Sequence, residues 1–172
     1  MKNYWTILLL LGLLSASLMM TAIGRKRARP EMIIGKVYLQ EREAIMKVIS
    51  EEYTAFNSND FDSYASHWVH APYVRNQDRW ERSDMHPVEG WEAQAVGTEQ
   101  YMEGDQQAMT QEVVRENINL RIYEDVAWVT FDQYRHERSA EGAPYLGQET
   151  RILEKHDGQW KLVYSAHFSD AP

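Results

Sequence analysis

Arg151 is the residue whose position most demands a chemical explanation. It stands inside Gly147–Lys155, an alternating run that reads as a β-strand, where a full charge is unusual. A guanidinium there can clamp a carboxylate or an enolate through its planar fork of donors. It can equally pair with Glu149 on the same strand face, or snorkel over the outer surface of a sheet. Asp132 and Gln133 are neighbours in a second such run, so they point to opposite faces. Gln133 shares a face with Ala127, Val129 and Phe131, whereas Asp132 shares one with Trp128 and Thr130. An inward Asp132 would be a general base with its pKa raised by burial; an outward one is a solvated strand acid. His167, near the end of the last run, is a second acid–base candidate. Trp68, Tyr73 and Trp91 supply apolar walls, either to the core or to a ligand.

His67, His70, Asp84 and His86 have the right types for metal ligands. Their spacing, i and i+3 at a helix end followed by a polar loop, fits surface histidines better, and no metal is expected. The chain has no cysteine, which excludes disulfides, thiolate metal sites and a cysteine nucleophile. There is no phosphate-cradling glycine loop, nucleophile elbow or H-E-x-x-H motif, so no cofactor is expected. Catalysis, where present, would use ordinary acids and bases in an apolar pocket.

The 172 residues suit one domain, and the formal charge of −8 argues against nucleic acid as a partner. The charge is unevenly placed. Residues 1–30 hold five basic residues and no acid, while the rest holds 13 basic and 26 acidic residues, a net of −13. Residues 4–23 form a run of twenty without charge, long enough to cross a bilayer as a helix. Three readings stand: a signal peptide cleaved near Ala22-Ile23-Gly24, an uncleaved anchor, or a start of translation at Met19, Met20 or Met32. The basic cluster at 25–29 opposes export under the positive-inside rule, so sidedness stays open between an exported or membrane-anchored product and a cytoplasm-facing anchor.

The elements that must position these side chains follow from periodicity. Residues 1–30 are set apart, 31–38 form a linker, and a domain occupies 39–172. Leu39–Phe56 is amphipathic through Ile45, Val48, Ile49, Glu52 and Phe56. Asn57 to Asp60 ends this helix and caps a second, Phe61–Trp68. Pro72 stops that helix, Tyr73–Asn76 is extended, and 77–89 is a loop or short hairpin. Gly90–Met102 suggests a third helix. The remainder is strand-like: Asn117–Ile122, Val126–Arg135, Gly147–Lys155 and Trp160–Phe168, with Asp157-Gly158 as a hairpin turn. Helices first and an antiparallel meander after them make an α+β fold.

This order resembles the SnoaL-like bacterial proteins of the nuclear-transport-factor-2-like superfamily. The resemblance is carried by Ala44-Ile45 through Phe56, Asn59–Tyr64 with Trp68, Asp125–Thr130, and the ending Glu149–Val163, over about residues 39–169. It implies a cone, a curved antiparallel sheet wrapped around the helices, with a pocket at the open end. It also implies that Arg151 and Gln133 face the concave side. His167 falls one residue later than the terminal histidine of such proteins, which reverses its facing unless a bulge restores it. Members include steroid isomerases, dehydratases, polyketide cyclases and domains that only bind or assemble, so the fold leaves function open. The expectation is a cofactor-free pocket for a small organic ligand, lined by Arg151, Gln133, Trp68, Tyr73 and Trp91. One alternative is an isomerase, lyase or cyclase using Asp132 or His167, favoured by a proton-transfer pair in the cavity. The other is a homodimeric assembly module pairing through an outer face of Trp128, Trp160 and Leu162.

Overall fold

A computed structural model describes residues 31–79, 88–104, 112–135 and 145–168. The expected membrane segment, the basic cluster, Asp84 and His86 lie outside the described residues. Three helices, α1 (Gly35–Asn57), α2 (Phe61–Ser66) and α3 (Trp91–Glu103), accompany six strands. These are β1 (Arg75–Arg79), β2 (Val88–Glu89), β3 (Val113–Tyr123), β4 (Val126–Arg135), β5 (Tyr145–His156) and β6 (Gln159–Phe168). The strands form one curved, unclosed sheet in the order β2-β1-β6-β5-β4-β3.

Helix α1 begins four residues before its expected start and buries Ile45, Ile49, Glu52 and Ala55, one face at helical spacing. Asp60 caps α2 by accepting from the Ser63 amide at 3.0 Å. That helix ends at Ser66 rather than Trp68. His67 and Val69 pair instead with Leu162: the Leu162 amide donates to His67 O at 2.8 Å and the Val69 amide to Leu162 O at 2.9 Å. The sheet captures the chain there and draws Trp68 into the core.

Strands β3 to β6 form the expected antiparallel meander. Asp157 and Gly158 both take positive φ, the conformation a tight hairpin turn requires. The parallel pairing of β1 with β6 adds a feature that periodicity did not announce. Ile45 and Ile49 of α1 pack with Leu120, Ile122, Ala127, Val129, Leu153 and Leu162 of the sheet, which defines its inner face. Trp160 and Leu162 are on that inner face, so the expected outer face of Trp128, Trp160 and Leu162 is corrected. Leu162 lies opposite the core residue Leu153, and its side chain must follow.

One polar clamp fixes the chain-entry end of α1 to the β5–β6 hairpin. Glu41 accepts from Lys155 Nζ and from Trp160 Nε1, each at 2.6 Å, and the ammonium sits 4.9 Å from the indole centroid. The Lys155 hydrogen bond, with the Trp160 bond and the Lys155 charge behind it, holds the Glu41 carboxyl below its ordinary pKa despite burial. A depressed carboxylate pKa contributes stability that is full above the unfolded value and lost as pH falls through the folded one. Glu41→Gln should therefore lower the unfolding free energy by about 1 kcal/mol at neutral pH. The difference from the native protein should shrink as urea melts are repeated at progressively more acid pH.

Candidate functional site

The inner face divides into two ends. Toward the β3–β4 and β5–β6 turns it is apolar: Leu120, Ile122, Ala127, Leu153, Trp160 and Leu162. Toward the opposite end it is polar, with Arg115, Gln133, Glu149, Arg151, Ser165 and His167. Period-two alternation accounts for β4 and β5, where Ala127 to Gln133 and Leu153 to Glu149 stay in phase. The flanking strands need a change of phase, and each has a bulge.

In β6, Leu153 faces Leu162 but Ile152 faces Tyr164, which leaves Val163 as an extra residue. Leu162 is inward before the bulge, and Ser165 and His167 are inward after it, opposite Arg151 and Glu149. In β3 the register slips between Glu116 and Asn119, with Asn117 at φ 52°. Ile118, Leu120 and Ile122 serve the core on one side of this slip; Arg115, opposite Gln133, is inward on the other. Each bulge switches its strand from an apolar to a polar set of inward residues.

Glu149 is the hub. Its Oε1 lies 2.7 Å from His167 Nδ1 and its Oε2 2.7 Å from Arg151 Nη1, and the residue is only 3% exposed. Arg151 also donates to Ser165 Oγ. Beside this pair Arg115 donates from Nε to Gln133 Oε1 at 3.1 Å and from Nη1 to Ser50 Oγ of α1 at 2.9 Å. Its guanidinium lies 5.4 Å from the Phe131 ring centroid and 5.6 Å from that of Tyr53. Burial, then the charge of Arg151, lowers the pKa of Arg115, while Glu149, Glu52 and Tyr53 act against the shift. The remaining nitrogen, Arg115 Nη2, is buried with no hydrogen-bond partner among the described residues. Glu52, buried on α1, accepts from Trp68 Nε1 at 3.3 Å and links that indole to the polar end. Chemically, this is a pair of guanidiniums able to receive an anion, next to an imidazole held by a carboxylate. Among the described residues no three His, Asp or Glu side chains are grouped so as to hold a metal ion.

Residues 45–172 match the family model of the SnoaL-like domain. The chain belongs to this family. It is an NTF2-like fold, and solved structures resemble it at low sequence identity. The association domain of CaMKII from C. elegans is 20% identical, with a TM-score of 0.60, over 78% of this chain and 100% of that one. An NTF2-like protein of unknown function from Pseudomonas putida is 12% identical, with a TM-score of 0.59, over 78% and 97%. Another from Shewanella oneidensis is 14% identical, with a TM-score of 0.55, over 73% and 97%. No curated protein matches the chain in sequence.

Within this SnoaL-like domain, Arg151, Gln133 and His167 are brought together on the inner face. Asp132 is not. The register that turns Gln133 inward turns Asp132 outward, where it accepts from Asn117 Nδ2 at 2.6 Å, so the inward-base alternative is corrected. Tyr73 is also removed from the site: it is exposed and donates to Glu154 Oε2 at 2.8 Å. Trp91 stacks on His70 at 4.2 Å, outside the polar group, and Trp68 is a core indole that touches the site through Glu52. Sequence reasoning missed Arg115, Ser50, Tyr53 and Ser165 as site residues, and gave Glu149 only the part of a possible partner to Arg151. The i, i+2 spacing of two opposite charges in one strand was the available signal for Glu149.

Gly147 closes the far side of this group. At φ 150°, an added Cβ would lie 2.5 Å from Phe168 O and 2.8 Å from His167 Cε1. Backbone and ring cannot both give way. Gly147→Ala should cost about 2 kcal/mol in urea unfolding, and should displace the His167 ring signals in NMR spectra while leaving those of Trp91 in place.

Proposed function

We propose that the polar end of the inner face binds a small, partly apolar organic molecule through its carboxylate or carbonyl oxygen. The observation that carries this reading is Arg115 Nη2, a buried donor without a hydrogen-bond partner among the described residues, on a guanidinium that also feels the like charge of Arg151. An acceptor placed there would satisfy the donor and offset the repulsion in one step. The Phe131 and Tyr53 rings offer apolar surface next to it.

The His167–Glu149 contact supports a second use of the same site. A carboxylate on Nδ1 fixes the ring and stabilises an imidazolium, which is how an imidazole is prepared to move a proton α to a carbonyl. A cofactor-independent isomerase, lyase or cyclase would need such a pair. The assembly reading has its own support in a lateral row on the outer face, Arg121, Trp128, Ile152, Tyr164 and Arg75, each opposite the next. One structural relative is by name an association domain. A homodimer through this face would cover the row and leave the inner site intact.

Small carboxylic acids should raise the melting temperature of the native protein in a concentration-dependent manner. Arg115→Met keeps the apolar stem, so it should remain folded while binding tenfold or more weakly. Equal shifts for the two proteins would remove this function. Trp128→Glu tests assembly separately: sedimentation should show a concentration-dependent dimer for the native protein and a monomer for the variant, with carboxylate binding unchanged.

A further inference from the structure

Outside the group of Glu149, Arg151 and His167, three buried side-chain atoms have no hydrogen-bond partner among the described residues: Arg115 Nη2, Gln94 Oε1 and Asn76 Oδ1. The first is a donor and carries the carboxylate reading. The other two are acceptors, and that reading leaves them unused. Both belong to the corner where β1 meets α3. Asn76 lies opposite Ser165 in the parallel β1–β6 pairing, and Ser165 is inward, so Asn76 shares the inner face. Its neighbour Arg75 is in the outer row, as alternation requires. The Gly90 amide donates to Val74 O at 2.8 Å and the Trp91 amide to Ala71 O at 3.1 Å, which sets the first turn of α3 against the start of β1. Gln94, one turn on, is buried and donates from Nε2 to the Tyr64 hydroxyl at 2.8 Å. That bond commits the amide nitrogen and leaves the oxygen. Tyr64 packs on the Trp68 indole, whose N–H reaches Glu52 at the polar end.

A buried acceptor without a donor costs the fold the full desolvation of its oxygen, so two in one corner call for a group that supplies protons to hydrogen bonds. Strands β6, β5 and β4 separate this corner from Arg115 on β3. The gap is about 19 Å along the sheet, and the curve of the sheet and the length of the arginine narrow it to the span of a small acid. We propose that the molecule held at Arg115 carries hydroxyl at its far end, received by Gln94 Oε1 and Asn76 Oδ1. The ligand class is then a hydroxy acid rather than a simple apolar acid. This rests on the carboxylate reading and narrows it. Hydroxyl fits better than ammonium, because the two oxygens belong to neutral amides and the same inner face already holds two guanidiniums that repel a cation.

Calorimetric titration of the full chain with matched acids tests this. The probes are the straight-chain acids from hexanoic to decanoic, each against its ω-hydroxy and ω-amino counterparts. In water a terminal hydroxyl weakens burial in an apolar site, so a preference for it must come from an acceptor. At the chain length that reaches the corner, the ω-hydroxy acid should bind about fivefold tighter than its parent. Gln94→Met and Asn76→Leu should hold the parent acid as the native protein does, and one or both should lose the preference. Asn76→Leu should melt no lower than the native protein, because it removes an acceptor that has no partner. Arg115→Met should weaken parent and hydroxy acid by the same factor and keep their ratio. Equal affinity for parent and hydroxy acid at every length would overturn this proposal and leave the carboxylate reading standing. A preference that survives in both variants would overturn it too, as would ω-amino acids that bind tighter than the hydroxy acids. Failure of every acid to bind would remove the carboxylate reading and this proposal together.

Discussion

A carboxylate that is 3% exposed needs hydrogen-bond and ion-pair partners in place of the water it has lost, and Glu149 obtains these from two strands at once. Arg151 approaches along its own strand and His167 from the next. The cross-strand partner is available only because β6 has changed phase at Val163. Without that extra residue Ser165 and His167 would point outward, and Glu149 would share its burial with Arg151 alone. The local geometry of one bulge is thus tied to the electrostatics of the whole polar end.

The same dependence runs through β3. Arg115 lies opposite Gln133, reaches Ser50 on α1 and rests between the Phe131 and Tyr53 rings. Each contact requires the slip at Asn117, a residue type that accepts positive φ more readily than most. Four strands therefore share one inner face with two chemical halves. Regular alternation carries β4 and β5 through both halves, and two interruptions of alternation turn β3 and β6 to the polar one.

That division explains which features could be read from the sequence. The amphipathic run of α1, the Asp60 cap, the Asp157-Gly158 turn and the order of helices and strands along the chain are local signals that specified an α+β class, and the resemblance of that order to a known family supplied the NTF2-like fold. Gln133 and Arg151 lie in the stretches of β4 and β5 that keep phase, Ala127–Gln133 and Leu153–Glu149, so parity sufficed once the inner face was known. Parity misleads beyond a bulge. The assembly alternative needs Trp160 and Leu162 on the outer face, and no role falls to Arg115, because neither Val163 nor Asn117 announces a bulge by type alone. His167 fell between these cases: the one-residue offset signalled the bulge, but only the pairing of Ile152 with Tyr164 locates it.

The two ends of the inner face also differ in what can disturb them. The apolar end is closed by the turns of two hairpins and by the Glu41 clamp, and the chain comes into the domain there. At the other end the structure carries buried charge, a glycine pressed against His167, and a guanidinium nitrogen with no hydrogen-bond partner among the described residues. Such features are costly for a fold that gains nothing from them, since an apolar core of similar volume would be at least as stable. Their concentration at the end farthest from chain entry supports the proposed ligand site there, with the rest of the fold as its scaffold.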